Sequence, residues 1–147
     1  MKSWPFEHPD AGLSAVLGAA DPAMLEMLRS VDAGLRDFAG DIGGASQGLT
    51  VDDYPGPPRK RMLSGYAENG EVTCTVELSR GDFFENLGRA PERFFVDAEV
   101  DVAAEYGMQT VLAVPVREAA TPAEAVAALA DALAALRQEA VAERWRT

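Results

Sequence analysis

The chain has one cysteine, one histidine and no apolar run near the roughly 20 residues that a membrane-spanning helix needs. Each scarcity removes a class of chemistry. With Cys74 alone, neither an intramolecular disulfide nor a multi-cysteine metal site can form. A Ser-His-Asp or Cys-His relay would have to use His8, which lies between Glu7 and Pro9 in an N-terminal stretch without hydrophobic period. That is a poor place to hold a general base within hydrogen-bond reach, so His8 reads as a solvated residue of a flexible terminus spanning 1–9. The opening MKSWPFEHPD also lacks the apolar centre of a signal peptide, so a cytoplasmic location and no membrane partner are expected. Basic residues are scarce as well: Lys and Arg number 13 against 24 Asp and Glu, for a formal charge of -11. Nucleic-acid phosphates demand a positive surface, so nucleic acid is not an expected partner, whereas basic proteins and cations are.

What is present suits one domain spanning 1–147, nearly half apolar and long enough to bury a core without staples. Its best-defined stretch is Arg93 to Arg117. Phe94, Val96, Ala98, Val100 and Val102 alternate with Asp97, Glu99 and Asp101, the pattern of a strand with one buried and one wet side. A three-residue loop of Glu105, Tyr106 and Gly107 would return a second strand with Val100 facing Leu112 and Ala98 facing Val114. Leu112, Val114 and Val116 then share the buried face, which a two-residue loop would turn toward the carboxylates. Upstream, MLSGYAE-NG-EVTCTVELS predicts another hairpin. A turn centred on Asn69-Gly70 pairs Ala67 with Val72, Gly65 with Cys74 and Leu63 with Val76. Cys74 is then a core residue with no basic sequence neighbour to stabilise a thiolate. Gly65 leaves room for a side chain from a covering helix.

Helices are expected on either side. Asp10 would cap a short one carrying Leu13, Val16 and Leu17. Asp21-Pro22 starts a second, whose Met24, Leu28, Val31, Leu35 and Phe38 form one stripe before Gly40 ends it. Burying that stripe contributes roughly 8 to 15 kcal/mol before entropy, against a few tenths for an Asp32–Arg36 pair. Thr121-Pro122-Ala123-Glu124 is a capping box opening a long C-terminal helix with the stripe Val126, Leu129, Leu133, Leu136 and Ala140. Trp145 beyond it is a core anchor or an exposed aromatic in an oligomer interface. Residues 40–58, rich in Gly and Pro, read as a long loop, with LTV a short edge strand. They match neither the Walker nor the dinucleotide glycine pattern. Arg59, Lys60 and Arg61 read as the charged start of an edge strand. GDFFENLGRAPE reads as one or two helical turns capped by Asp82 and closed by Gly88, with Phe83, Phe84 and Leu87 plugging one end of the core.

The acidic stripe fails most chemical readings. Alternate residues on a strand lie about 6.5 to 7 Å apart, so Asp97, Glu99 and Asp101 cannot by themselves place oxygens within the roughly 2.0 to 2.6 Å that one ion requires. An EF-hand would need Gly at Val102 and Glu at Met108. Paired carboxylates at such spacing suit glycoside hydrolysis only within a concavity that raises one proton affinity, and an open sheet face is too wet. A solvated or recognising face remains.

The expected fold is α+β, a mainly antiparallel sheet of four or five strands built from two hairpins, with N-terminal helices and a long C-terminal helix on one face. No catalytic residue, metal site or cofactor is indicated. The expected function is a non-enzymatic protein-binding or adaptor domain, chaperone-like or immunity-like, with a basic protein or a second copy of the chain as partner, acting through Asp97, Glu99, Asp101 and Trp145 or a helix surface. The alternative is a small-molecule binder or enzyme with a pocket between sheet and helices under the loop 40–58, walled by Tyr54, Tyr66, Phe83 and Phe84.

Overall fold

A computed structural model describes residues 2–3, 16–18, 21–54, 60–84 and 87–143, with the backbone alone at 2–3 and 140–143. The elements are β1 (Lys2–Ser3), α1 (Pro22–Asp41), β2 (Ala45–Tyr54), β3 (Lys60–Glu68), β4 (Val72–Arg80), β5 (Phe94–Ala104), β6 (Gly107–Ala119) and α2 (Pro122–Glu143). The class is α+β. Every neighbouring pair is antiparallel, and the strand order across the sheet is the chain order from β1 to β6. Five strands are long; β1 contributes two residues, opposite Asp52 and Val51. Of the two N-terminal helices expected, α1 is described. The other, with Asp10 and Leu13, lies outside the described residues except for Val16 and Leu17, which are helical and buried.

Both long helices cover one face of the sheet. Met24, Leu28, Val31, Leu35 and Phe38 of α1 are all buried, as are Val126, Leu129, Leu133 and Leu136 of α2; the side chain of Ala140 lies outside the described residues. These stripes meet Leu49, Leu63, Cys74, Val76, Leu78, Val96, Ala98 and Val100 in one core cluster. Asp21 caps α1 by accepting from Met24 N at 2.9 Å, and Thr121 caps α2 by accepting from Glu124 N at 3.2 Å while donating to the Glu124 carboxylate at 2.9 Å. Gly40 does not end α1. The helix runs to Asp41, and Gly43, at φ +68, supplies the left-handed residue of a Schellman close in which Gly44 N donates to Ala39 O and Gly43 N to Gly40 O.

The stretch expected as a loop, 40–58, contains the ten-residue strand β2. Its composition misleads because the glycines serve contact rather than flexibility. Gly48 sits at φ +76 in an irregularity of the β2–β3 register, and a Cβ there would collide with Asp32 Oδ1. The buried Asp32 carboxylate instead accepts from Leu49 N at 2.8 Å and from Arg36 Nε at 3.2 Å, and Arg36 donates to Gln47 O at 3.0 Å. The pair assigned a few tenths of a kcal/mol from helical spacing is therefore a clamp between α1 and β2. Lys60 and Arg61 open β3, which is interior, between β2 and β4, rather than an edge strand.

Both hairpins keep the expected faces but not the expected turns. In the first, Glu68 pairs with Thr73 and Ala67 with Cys74, so Gly65 faces Val76 and Leu63 faces Leu78, a shift of two residues. The two loop residues are Gly70 and Glu71, with Gly70 at φ +93, because the Asn69 side chain folds over the turn. Its Oδ1 accepts from Glu71 N at 2.9 Å and Val72 N at 2.8 Å, and its Nδ2 donates to Ile42 O at 2.9 Å, fastening the turn to the end of α1. Leu35 fills the space over Gly65, where a Cβ would strike its Cδ1. In the second hairpin, Val100 does face Leu112 and Ala98 does face Val114, yet Ala104 pairs with Gly107, leaving a two-residue loop. A bulge at Val111 restores the register, and a second one sets Pro115 and Val116 opposite Asp97. That second bulge overturns the placement of Val116, which is 51% exposed.

Candidate recognition face

The sheet face turned away from α1 and α2 carries both sets of residues singled out in the sequence, except Trp145, which lies outside the described residues. Antiparallel register aligns its rows. Thr50, Ser64, Glu77 and Asp97 lie side by side across β2 to β5, and Gly48, Tyr66, Thr75, Glu99 and Ala113 form the next row. Asp101 follows, opposite Thr73 and Thr110, while on the other side Asp52 pairs with Met62 and Ser79 with Phe95. The acidic stripe on β5 thus acquires two carboxylates that strand patterning alone did not attach to it, Glu77 and Asp52. The signal for Glu77 was its polar position in the EVTCTVELS alternation; its neighbour required the strand order.

The face is unequal along its length. At one end the β4–β5 connection folds onto it. This segment, expected as one or two helical turns closed by Gly88, is in its described part a run of turns with a 3-10 residue at Leu87, whose N donates to Phe84 O at 3.2 Å, followed by Gly88 at φ +63. Arg89 from this connection forms two bonds to Asp97, at 2.9 and 3.0 Å, and stacks 4.9 Å above the Phe95 ring. Phe83 and Phe84 are not a plug of the main core. They are half-buried, with Phe83 edge-on to Tyr54 at 5.3 Å and to Phe84 at 4.8 Å, and Leu87 is 54% exposed. Toward the other end the face opens, and a cleft of about 430 Å³ lies along β2 and β3, lined by Gly48, Thr50, Tyr66 and Glu68 among others. Tyr66 and Tyr54 therefore stand on the outer face, not between sheet and helices.

Crowded carboxylates change one another's proton affinity. Burial, then the charges of Asp97, Glu99 and Asp52, pushes Glu77 up to about 6, only partly opposed by Arg89. Glu99 is raised by burial and by its contact with Asp101; the Thr110 hydroxyl lies 2.5 Å from Asp101 and 3.3 Å from Glu99. Burial, then Asp52 and Glu77, raises the Tyr54 and Tyr66 phenols. Asp52 is 5% exposed; its Oδ2 accepts from Ser64 Oγ at 2.8 Å, and its Oδ1 has no partner among the described residues.

Among the described residues, no group of His, Cys, Asp and Glu side chains converges on one ion. Cys74 is buried in the core, and burial first and Asp101 second push its thiol up to about 12, away from the thiolate form. No helix among the described residues is long and apolar enough to cross a membrane. The chain matches no protein-family model, no curated protein and no solved structure.

Proposed function

We propose that the protein is a non-enzymatic recognition module of chaperone-like or immunity-like class, and that the open sheet face binds a basic protein partner. The observation that carries this reading is charge without compensation. Glu77, Glu99 and Asp101 lie on neighbouring positions of two strands, and among the described residues the only cation paired on this stretch is Arg89, which Asp97 engages. Held on rigid strands with part of their solvent removed, such carboxylates attract a cationic surface more strongly than a mobile acidic tail would. The test is affinity capture from native lysate by the wild type and by E77Q/E99Q/D101N. A partner should be retained by the first, released by salt and lost by the second; equal capture by both would overturn the reading.

The cleft beside Tyr66 favours a second reading, a small-molecule binder on this same face. A metabolite at about 100 times its Kd should add about 2.7 kcal/mol in a thermal-shift screen.

A further inference from the structure

The sheet ends on β6, and among the described residues no strand pairs with its far side. At the opposite edge β1 pairs with Val51 and Asp52 of β2. Sheet edges are commonly blunted by charged side chains. Residues 107–116 carry none, in a chain whose formal charge is -11. Met108, Val111 and Val116 stand exposed along this strand instead. Two copies of so acidic a chain repel one another, and this uncharged edge is where they can approach without opposing like charges.

The bulges of β6 decide what fits there. Val111 and Pro115, one in each bulge, lie equally far on either side of Ala113. A second β6 laid antiparallel with a two-fold axis at Ala113 therefore sets each bulge opposite the other, and the paired residues keep their faces. Leu112 meets Val114 and Gln109 meets Arg117, all on the side of Val100, Ala98, Val102 and Val96. Met108 meets Glu118 on the other side, that of Ala103 and Phe95. Moving the axis by one residue, to Leu112, would put Val114 against Thr110, which points the other way. Pro115 cannot donate to a ladder, but it falls opposite the extra residue Val111, which a bulge leaves unpaired in any case. Arg117 and Glu118, already engaged by Asp131 and Arg93, meet Gln109 and Met108, so no like charges are opposed. We infer that β6 is the seam of a homodimer, in which a second copy of this chain joins the two sheets edge to edge about Ala113.

The test is sedimentation velocity of the full chain over a concentration series at low and high salt, with cysteine crosslinking to fix the register. A dimer should form as concentration rises and should tighten with salt, the opposite of the release expected for a basic partner. Under oxidation A113C should crosslink to its own copy, because directly opposed Cβ atoms lie about 4.5 to 5.5 Å apart, close to disulfide reach. Q109C alone should not, its two copies lying roughly 27 Å apart at about 3.4 Å per residue, whereas a mixture of Q109C and R117C should. Cys74 is buried and does not compete. A113K, which sets two ammonium groups across the axis, should weaken the dimer about fivefold. Glu99 lies directly across from Ala113 on β5, so the monomer should keep a near-wild-type melt; if it does not, the crosslinks decide alone. A monomer at every concentration, a dimer without the A113C crosslink, or β6 amides protected only by an extended segment of another protein would overturn the seam.

Discussion

The two faces of β4 and β5 are built from the same residues taken alternately, yet they obey different physics. Cys74, Val76, Ala98 and Val100 point to the helices and are at most 4% exposed, in a core where apolar groups satisfy one another by contact. Thr75, Glu77, Glu99 and Asp101 point the other way, where strand spacing brings like charges together that contact cannot satisfy. One face is stable because of its neighbours, and the other persists in spite of them. The apolar face holds the fold, and the acidic face sets Glu77, Asp97 and Glu99 beside one another, where their charges raise the proton affinity of Glu77.

That contrast can be broken from either side. The largest effect is expected from V100D, which buries an unpaired charge at a position with no exposure and should cost more than about 4 kcal/mol. A cooperative, near-wild-type melt by circular dichroism would contradict the assignment of faces. Next, G48A forces a side chain into a left-handed residue and against the Asp32 carboxylate. It should cost about 2 to 4 kcal/mol in urea denaturation, whereas an unchanged midpoint would mean that the α1–β2 clamp is not structural. On the acidic face, D97N should cost about 1 to 3 kcal/mol, because Arg89, 13% exposed, would lose its charged partner; stability equal to that of E99Q would remove the distinction drawn between these carboxylates.

Glu77 should behave in the opposite direction. A carboxyl raised from 4.5 to about 6 binds its proton more tightly folded than unfolded, so stability falls as pH rises through that interval and stays lower above it. E77Q removes the titration. It should be more stable than wild type by about 1 kcal/mol at neutral pH, a figure discounted for partial exposure, and the gap should close well below pH 4.5. A gap independent of pH would show that packing, not charge, accounts for it. The smallest change is expected from E99Q/D101N, within about 0.5 kcal/mol of wild type by the same denaturation.

The helix stripes and the division of each strand into faces were legible because periods of 3.6 and 2 are written directly in Met24 to Phe38 and in Phe94 to Val102. The turns were legible only in kind. Asn69-Gly70 announces a hairpin, but the Asn69 amide has a further use at Ile42, and this tertiary bond moves the turn by one residue. At Val111 and Val116, bulges absorb single residues that no alternation reveals. β2 was hidden by glycines whose purpose is visible only once Asp32 and Leu35 lie against the sheet. For the site, Asp97, Glu99 and Asp101 stood out at once. Their partnership with Glu77, Asp52 and Tyr66 depends on strand order, which periodicity does not encode.

The agreement of sheet order with chain order also bears on how the molecule assembles. From β2 to β6 each strand pairs with the one next in sequence, so each addition closes only the loop between neighbours. The exception is the C-terminal helix, which returns across the sheet to meet the first, with Arg137 on Asp41 at 3.0 Å and Leu133 against Gly34. Docking of that helix is the long-range step. A five-strand sheet that has formed without it would expose Val96, Ala98 and Val100 to solvent, and that intermediate is where premature association between chains would begin.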